Sequence, residues 1–280
     1  MAGGALVLVG TPIGNLGDLS PRAVSALAGA DIIAAEDTRR TRGLLAHAGV
    51  PAGGRLVALH AHNEAQTATR LVERMAAGAR VAFVTDAGMP GISDPGERLV
   101  RAAVEAGLAV EVVPGPSAAL AALVVSGLPT GRFAFEGFLP RKGAERAARL
   151  AALAREERTT VLFESPRRLA ATLADLAGAL GPERPVAVVR ELTKVFETVW
   201  RGTLGDAAGE ASDGPEARGE QVIVLGPAPA LEAREAPDDG EIEGALRVEL
   251  EAGSSVASQN TQPVSTLVRM MRSSSTWIPR

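Results

Sequence analysis

Residues 84–96, Val-Thr-Asp-Ala-Gly-Met-Pro-Gly-Ile-Ser-Asp-Pro-Gly, constrain the fold of this chain more than any other segment. The apolar run at residues 81–84 predicts a buried strand, and apolar residues at helical spacing after the segment predict a helix. Asp94 is the predicted N-cap of that helix, with Pro95 at its first position and Glu97 three residues after the cap. Gly- and Pro-rich loops at strand ends are where open α/β sheets bind ligands. We therefore predict a small-molecule pocket here, the alternative being an ordinary strand-to-helix turn.

Two further loops have a similar composition. Residues 10–15, Gly-Thr-Pro-Ile-Gly-Asn, follow an apolar strand, and residues 113–119, Val-Pro-Gly-Pro-Ser-Ala-Ala, lie between a predicted strand and a helical run. Neither loop contains the glycine pattern or the lysine of a phosphate-binding loop. Because the carboxyl ends of parallel strands meet at one edge of a sheet, we expect the three loops to converge. They favour a ligand without essential phosphates, held largely by backbone groups.

Strands and helices alternate in the first half of the chain. The predicted strands lie near residues 5–9, 31–35, 56–59, 81–85 and 109–113, and the predicted helices near residues 21–29, 38–48, 65–77, 95–106 and 117–126. This βα rhythm predicts a mainly parallel sheet that is covered on both faces.

The second half follows a different pattern. Helices are predicted at residues 143–157 and 166–180, and strands at residues 159–163, 185–192, 196–204 and 220–225. Strands in succession without intervening helices indicate a mixed α+β unit. We therefore predict an α/β protein of two domains. The predicted boundaries are an N-terminal domain at 1–127, a linker at 128–142, a C-terminal domain at 143–227, and a tail at 228–280 that is first acidic and then Ser-rich and is expected to be disordered.

Composition excludes several classes of site. The 280 residues contain no Cys, which rules out disulfides, thiol nucleophiles and thiolate metal sites. Histidines are few and lack partners at ligand spacing, so no metal site is expected. No apolar run has the length of a membrane helix, and no signal peptide is recognisable. We expect a soluble, cytoplasmic protein without a membrane partner.

The basic residues indicate where nucleic acid could bind. Clusters at Arg39 and at Arg141 and Lys142 could contact RNA phosphates, although such groups are often only solvated surface. Of the 29 basic residues, only Lys142 and Lys194 are Lys. An ammonium differs from a guanidinium in geometry and hydration, so a lysine that persists here could be required as such, or it could have survived by chance.

Eight motifs occur in an order that resembles the tetrapyrrole methylase superfamily, and within it the methyltransferases of small-subunit ribosomal RNA. They are Gly10-Thr11-Pro12-Ile13-Gly14-Asn15, Glu36-Asp37-Thr38-Arg39, His62-Asn63-Glu64, residues 86–96, Pro114-Gly115-Pro116-Ser117-Ala118, Glu136-Gly137-Phe138-Leu139-Pro140, residues 163–168 and Arg190-Glu191-Leu192-Thr193-Lys194. The resemblance covers residues 5–227, and the combination is far more specific than any one motif.

The resemblance implies S-adenosylmethionine as methyl donor and the ribose 2′-hydroxyl of a cytidine in the decoding region of 16S rRNA as acceptor. It also implies a donor site between two domains and a homodimer. The implied donor-binding residues are Pro12, Asp86, Gly88, Met89, Ile92, Pro116, Ser117 and Leu192. For Asp86 we weigh two roles, a negative charge beside the sulfonium and a contact that only shapes the loop.

A ribose hydroxyl is a weak nucleophile at neutral pH, so a base or a nearby cation would help it react. The candidate catalytic residues are Glu36, Asp37, Glu64 and Lys194, and Arg39, Arg141 and Lys142 are the candidate RNA-binding residues. Paired acids before a helix are also common N-terminal caps, and the motif around Glu64 could be a simple turn. Three alternatives remain open, namely methylation of a tetrapyrrole, methylation of a protein side chain, and an assembly factor that binds RNA without turnover.

Overall fold

The computed structural model describes residues 4–213 and 218–229. Ten strands and eight helices occur in this part of the chain. The strands are β1 (Ala5–Val9), β2 (Ile32–Ala35), β3 (Leu56–Ala58), β4 (Arg80–Val84), β5 (Ala109–Val113), β6 (Phe133–Phe138), β7 (Thr159–Glu164), β8 (Pro185–Arg190), β9 (Thr198–Thr203) and β10 (Gln221–Leu225). The helices are α1 (Pro21–Ala28), α2 (Thr38–His47), α3 (Glu64–Ala76), α4 (Glu97–Glu105), α5 (Ala118–Ser126), α6 (Gly143–Ala154), α7 (Leu169–Leu180) and α8 (Leu204–Asp213).

The first sheet is fully parallel, with the strand order β3-β2-β4-β1-β5. Alternate residues of its central strands face opposite layers of helices. Along β4, Ala82 and Val84 pack with the layer of α1 and α2, whereas Val81 and Phe83 pack with the layer of α3 and α4. Helices on both faces bury the central strands, so their sequences read as continuous apolar runs.

The second sheet is mixed, with the strand order β6-β7-β10-β8-β9. The pair β6 and β7 is parallel, and the remaining pairs are antiparallel. One face packs against α7 and α8 through Leu173, Leu176 and Leu204. Helix α5 covers the other face through Ala122 and Leu123. The predicted α/β class, with a mainly parallel sheet followed by a mixed unit, is confirmed.

The helix after the 84–96 loop begins later than predicted, and the prediction that Asp94 caps it was wrong. Its N-cap is Gly96, whose φ of +132° is strained for any residue with a side chain. A Cβ there would lie 2.6 Å from Cε1 of Phe83. Because Gly96 lacks a side chain, the first amides of α4 obtain their acceptor from elsewhere, the Glu64 carboxylate.

Three other elements differ from the sequence predictions. Strand β6 lies inside the segment expected to be a linker, and helix α8 was not predicted. The strand expected at residues 185–192 ends at Arg190, because the positive φ angles of Glu191 and Thr193, 52° and 64°, turn the chain away from the sheet.

The boundaries of the two domains and of the linker remain predictions, and the part of the tail from residue 230 onward lies outside the described residues. In the described part of the chain, no helix is both long enough and apolar enough to cross a membrane.

Candidate active site

The three Gly- and Pro-rich loops meet at the carboxyl edge of the first sheet. Thr11 and Gly88 exchange two backbone hydrogen bonds of 2.9 and 3.1 Å between nitrogen and oxygen. The Thr11 hydroxyl also donates to the carbonyl oxygen of Thr85 at 3.2 Å. A Cβ on Gly10 would lie 2.6 Å from the backbone nitrogen of Gly115, so this contact between two loops requires glycine. Two pairs of backbone segments therefore fix the loops against one another.

A cleft of about 230 Å³ opens between these loops and the second sheet. Four of the predicted donor-binding residues line it, namely Gly88, Met89, Ile92 and Ser117. The second sheet and the loops at its edge contribute Phe138, Phe163, Glu164, Glu220, Gln221 and Val222. Apolar walls with a few carboxylates and hydroxyls are typical of a site for a small organic ligand.

The other four predicted donor-binding residues lie at different places. Pro116 borders Gly88, since its carbonyl oxygen would be 3.6 Å from a Cβ on that glycine. Leu192 is buried and lines a small cavity that adjoins the cleft. Pro12 and Asp86 line a separate cavity of about 250 Å³, next to α2. The structure therefore brings four of the eight predicted residues into the cleft itself.

Asp86 joins the loop after β4 to the loop after β2. Its carboxylate accepts a hydrogen bond of 3.2 Å from the backbone N–H of Asp37 and lies 3.4 Å from the guanidinium of Arg40. Its own backbone N–H donates to the Glu36 carboxylate at 3.1 Å. These contacts support the loop-shaping role that we weighed for Asp86, and they place the Glu36 side chain beside the same loop.

Asp37 is the N-cap of α2. Its carboxylate accepts from the backbone N–H of Arg39 at 2.7 Å, and it pairs with the guanidinium of that residue at 2.9 Å. The hydrogen bond from the Arg39 side chain is the main reason why the pKa of Asp37 lies well below its usual range. A carboxylate of such low basicity is a poor proton acceptor. The Arg39 side chain is 87% exposed, so a phosphate could reach it.

Glu64 is buried at the N-terminus of α4. Its Oε1 accepts hydrogen bonds from the backbone N–H groups of Gly96 and Arg98, each at 2.9 Å, and of Leu99 at 3.4 Å. A carboxylate at this position satisfies free amides and interacts favourably with the helix dipole. Glu64 does not line the cleft, and these contacts indicate that it positions the loop, while its catalytic role remains a prediction.

Lys194 lies between two carboxylates at the edge of the second sheet. Its Nζ is 3.0 Å from Glu191 and 3.1 Å from Glu220, and Glu220 lines the cleft. Burial favours a lower pKa for Lys194, but the hydrogen bonds to the two carboxylates outweigh it, so the pKa lies above its ordinary value. Lys194 is therefore a cation held next to a carboxylate of the cleft.

Asp94, which we predicted only as a helix cap, lines the cleft. Its pKa is raised to about 6, first by burial of the carboxyl group and then by the negative charge of Glu36. An acidic residue inside a predicted ligand-binding loop could have indicated this role from the sequence. We interpreted Asp94 as a helix cap instead. A carboxylate with a pKa of about 6 suits proton transfer near neutral pH, so Asp94 is a candidate general base.

The remaining candidates lie outside the cleft. Arg141 and Lys142 are exposed at the start of α6, and the Lys142 side chain makes no capping hydrogen bond. Within residues 4–213 and 218–229, no group of three or more His, Asp or Glu side chains is arranged to hold a metal ion.

A family model described as "Tetrapyrrole (Corrin/Porphyrin) Methylases" matches residues 5–208. The chain belongs to this family. Ribosomal RNA small subunit methyltransferase I of Mycobacterium tuberculosis (strain CDC 1551 / Oshkosh) is 53% identical over 233 residues, which cover 83% of this chain and 81% of the relative. The protein of the same name from Xylella fastidiosa (strain Temecula1) is 54% identical over 79% of this chain and 81% of its own length. The family expected from the motifs is confirmed.

Solved structures of this family have the same fold. Uroporphyrin-III C-methyltransferase of Thermus thermophilus is 26% identical to the chain, with a TM-score of 0.56 over 80% of this chain and 94% of the other. A second structure of an enzyme of that name from the same organism, in complex with S-adenyl homocysteine, is 23% identical, with a TM-score of 0.54 over 80% of this chain and 97% of the other.

Proposed function

We propose that this member of the family transfers a methyl group from S-adenosylmethionine to small-subunit ribosomal RNA. The identity of more than half of the aligned residues with relatives named ribosomal RNA small subunit methyltransferase I is the observation that supports this most strongly. We further propose that the acceptor atom is the 2′-hydroxyl of a cytidine in the decoding region. The cleft provides the groups that such an oxygen nucleophile would need.

The residues of the cleft fit this donor. Its walls are largely apolar, which suits an adenine ring, and Gly88 adopts a φ of +79° that lets the backbone approach a ligand closely. The carboxylates of Asp94 and Glu220 provide negative charge for a positively charged sulfonium. The bound donor supplies an electrophilic methyl group, and the chain has to align the acceptor with it.

Asp94 is the proposed general base. With a pKa of about 6 it is mostly ionised at neutral pH, and it is still basic enough to accept the proton of the hydroxyl as the new bond forms. Glu36, which raises that basicity through its charge, is a positioning residue in this scheme. The ammonium of Lys194, which two carboxylates bind, would donate a hydrogen bond to the acceptor oxygen or to its neighbouring phosphate.

The RNA would contact basic residues around the site. Arg39 at the start of α2, together with Arg141 and Lys142 at the start of α6, are the proposed phosphate contacts. Homodimerisation, which the resemblance implies, and action in the cytoplasm, where small ribosomal subunits occur, belong to the same proposal.

The decisive experiment is methylation of isolated small ribosomal subunits with labelled S-adenosylmethionine, followed by mapping of the product. A 2′-O-methyl group makes the adjacent phosphodiester resistant to alkaline cleavage, so a gap in the alkaline ladder at one cytidine is the expected result. Asp94→Asn should greatly reduce the label, whereas Glu105→Gln, which replaces an exposed carboxylate on α4, should not. Label on a base or on a ribosomal protein would refute ribose methylation. Binding of donor and subunits without any transfer would support an assembly factor instead.

A further inference from the structure

The cavity beside α2 is separate from the donor cleft and is not used by the proposed donor site. It has a volume of about 250 Å³ and lies between the loop after β1, the end of β4 and the first turns of α2. Of the predicted donor-binding residues, Pro12 and Asp86 line this cavity and not the cleft. The proposed donor site therefore leaves this cavity available to another part of the substrate.

The lining of this cavity combines apolar surface with an open rim. Pro12, Leu16 and Leu44 contribute the apolar surface, and Leu16 is 45% exposed although it is a large apolar residue. Gly43 of α2 lies at the rim, and nothing lies within 4 Å of the position that its Cβ would take. Apolar side chains with an open entrance suit the faces of a flat ring that enters from solvent.

Polar groups also line the cavity. Thr85 is only 3% exposed, and its hydroxyl faces the carboxylate of Asp94, whose pKa it lowers through a hydrogen bond. Thr85 therefore joins this cavity to the proposed general base. Beside it, the carboxylate of Asp86 and the guanidinium of Arg40 lie 3.4 Å apart and offer an acceptor next to a donor.

On the basis of the proposed function, we propose that this cavity receives the base of the acceptor nucleotide, and that Asp86 and Arg40 select cytosine. Cytosine presents an amino group next to a ring nitrogen and a carbonyl oxygen that accept hydrogen bonds. Asp86 would accept from the amino group, and Arg40 would donate to the neighbouring acceptors. Uracil presents a carbonyl where cytosine has the amino group, so its oxygen would face the carboxylate of Asp86.

The position of the cavity agrees with this assignment. It shares the segment from Thr85 to Gly88 with the donor cleft, since Thr85 and Asp86 line the cavity and Gly88 lines the cleft. The charge of Asp86 is among the smaller causes of the raised pKa of Asp94, which lines the cleft. A base in the cavity would leave its ribose on the side of the shared segment that faces the cleft, as expected for an unstacked nucleotide.

The first test fills the cavity from its rim. Gly43→Phe should raise KM for small subunits about 10-fold or more and leave the affinity for S-adenosylmethionine unchanged, because the donor cleft is not altered. Gly178→Phe is the matched control, since Gly178 is also an exposed helical glycine with open space around its Cβ position and lies on α7, away from the cavity. Equal KM values for Gly43→Phe and the control would overturn the inference.

The second test measures base selection without turnover. Cytidine and uridine 5′-monophosphates are titrated into the full chain in the presence of S-adenosylhomocysteine, with binding followed by nuclear magnetic resonance. The wild type should bind the cytidine nucleotide about 10-fold more tightly, and Asp86→Asn should remove most of that preference, because the amide can present a donor to uracil. Asparagine can still accept from the Asp37 N–H, so the loop contact is retained. Equal binding of the two nucleotides by the wild type would refute the proposed selection.

The third test repeats the comparison during turnover, with small subunits that carry uridine in place of the methylated cytidine. We expect the wild type to methylate them about 10- to 100-fold more slowly than normal subunits. In Asp86→Asn the difference between the two rates should be smaller. Failure of the wild type to methylate either substrate would refute the proposed function, whereas equal rates on both would refute only the base subsite. The two failures are therefore distinguishable.

Discussion

The Oε1 atom of Glu64 lies 2.9 Å from the backbone nitrogen of Gly96, 32 residues later in the chain. This contact links the start of α3 to the start of α4 and anchors the loop that carries Asp94. The same oxygen accepts from two further amides of α4, so one buried carboxylate replaces the cap that the local sequence lacks. The loop of the proposed active site is thus held by a residue outside it.

We predict that Glu64→Ala lowers the free energy of unfolding by about 2–4 kcal/mol, because it leaves several amides at a helix N-terminus without an acceptor. Denaturant titration checks this value, with Glu73→Ala, an exposed residue on the same helix, as the control. Affinity for S-adenosylmethionine should fall as well, since the loop that lines the cleft loses its anchor. A Glu64→Ala protein as stable as the control would contradict the anchoring role.

The second prediction concerns the pH dependence of turnover. Asp94 has to be ionised to accept a proton, and its pKa is about 6. The single-turnover rate should therefore be nearly constant above pH 7 and fall about tenfold per pH unit well below pH 6. Asp94→Asn should be slow at every pH and lack this inflection. A wild-type rate that stays flat between pH 7 and pH 5 would exclude Asp94 as the base.

The third prediction follows from the same carboxyl group and concerns stability. The pKa of Asp94 in the folded protein is above the ordinary value of 3.8, so folding favours its protonated form. Its contribution to stability is fully present below about pH 4 and is lost as the pH rises through 6. Asp94→Asn should therefore raise the free energy of unfolding at pH 7 by about 1–2 kcal/mol, after allowance for solvent screening, and should bring no such gain near pH 4. Denaturant titrations at the two pH values check this difference.

Much of the fold could be predicted because its signals are local and repeated. The apolar runs of β1, β2, β4 and β5 and the loops after β1, β4 and β5 indicated a parallel sheet with a ligand site at its carboxyl edge. Strand β6 was missed because Gly137, with a φ of +69°, lies at an irregular register that breaks its alternation. Helix α8 was also missed, since it directly follows β9 without a loop.

The site residues were harder to predict because loop side chains have no fixed period. Pro12 and Asp86 lie beside α2, where Asp86 contacts Asp37 and Arg40, and such tertiary contacts leave no signal in the local sequence. Their donor-binding role remains a prediction. Asp94 fits the local pattern of a helix cap. Only the positive φ of Gly96 and the distant carboxylate of Glu64 show that the cap is elsewhere and that Asp94 is available to the cleft.

The fourth prediction concerns RNA binding at the start of α6. Lys142→Glu should weaken binding of small subunits, and the effect should be larger at low than at high salt, because the residue would act through phosphate charge. The dependence of log affinity on log salt concentration should become less steep by about one unit. Glu105→Gln, on α4, serves as the control. Binding that is equally weakened at all salt concentrations would contradict a phosphate contact.

The last prediction concerns Lys194, whose ammonium is bound between Glu191 and Glu220 at 3.0 and 3.1 Å. Lys194→Arg keeps the positive charge, but a planar guanidinium does not reproduce the geometry of a compact ammonium between the two carboxylates. We expect turnover to fall at least tenfold with little change in donor affinity, since the residue would act on the acceptor. Lys142→Arg, which replaces the other lysine of the chain at an exposed site, should be mild. A single-turnover rate for Lys194→Arg equal to that of Lys142→Arg would leave Lys194 as a structural ion pair with its two glutamates.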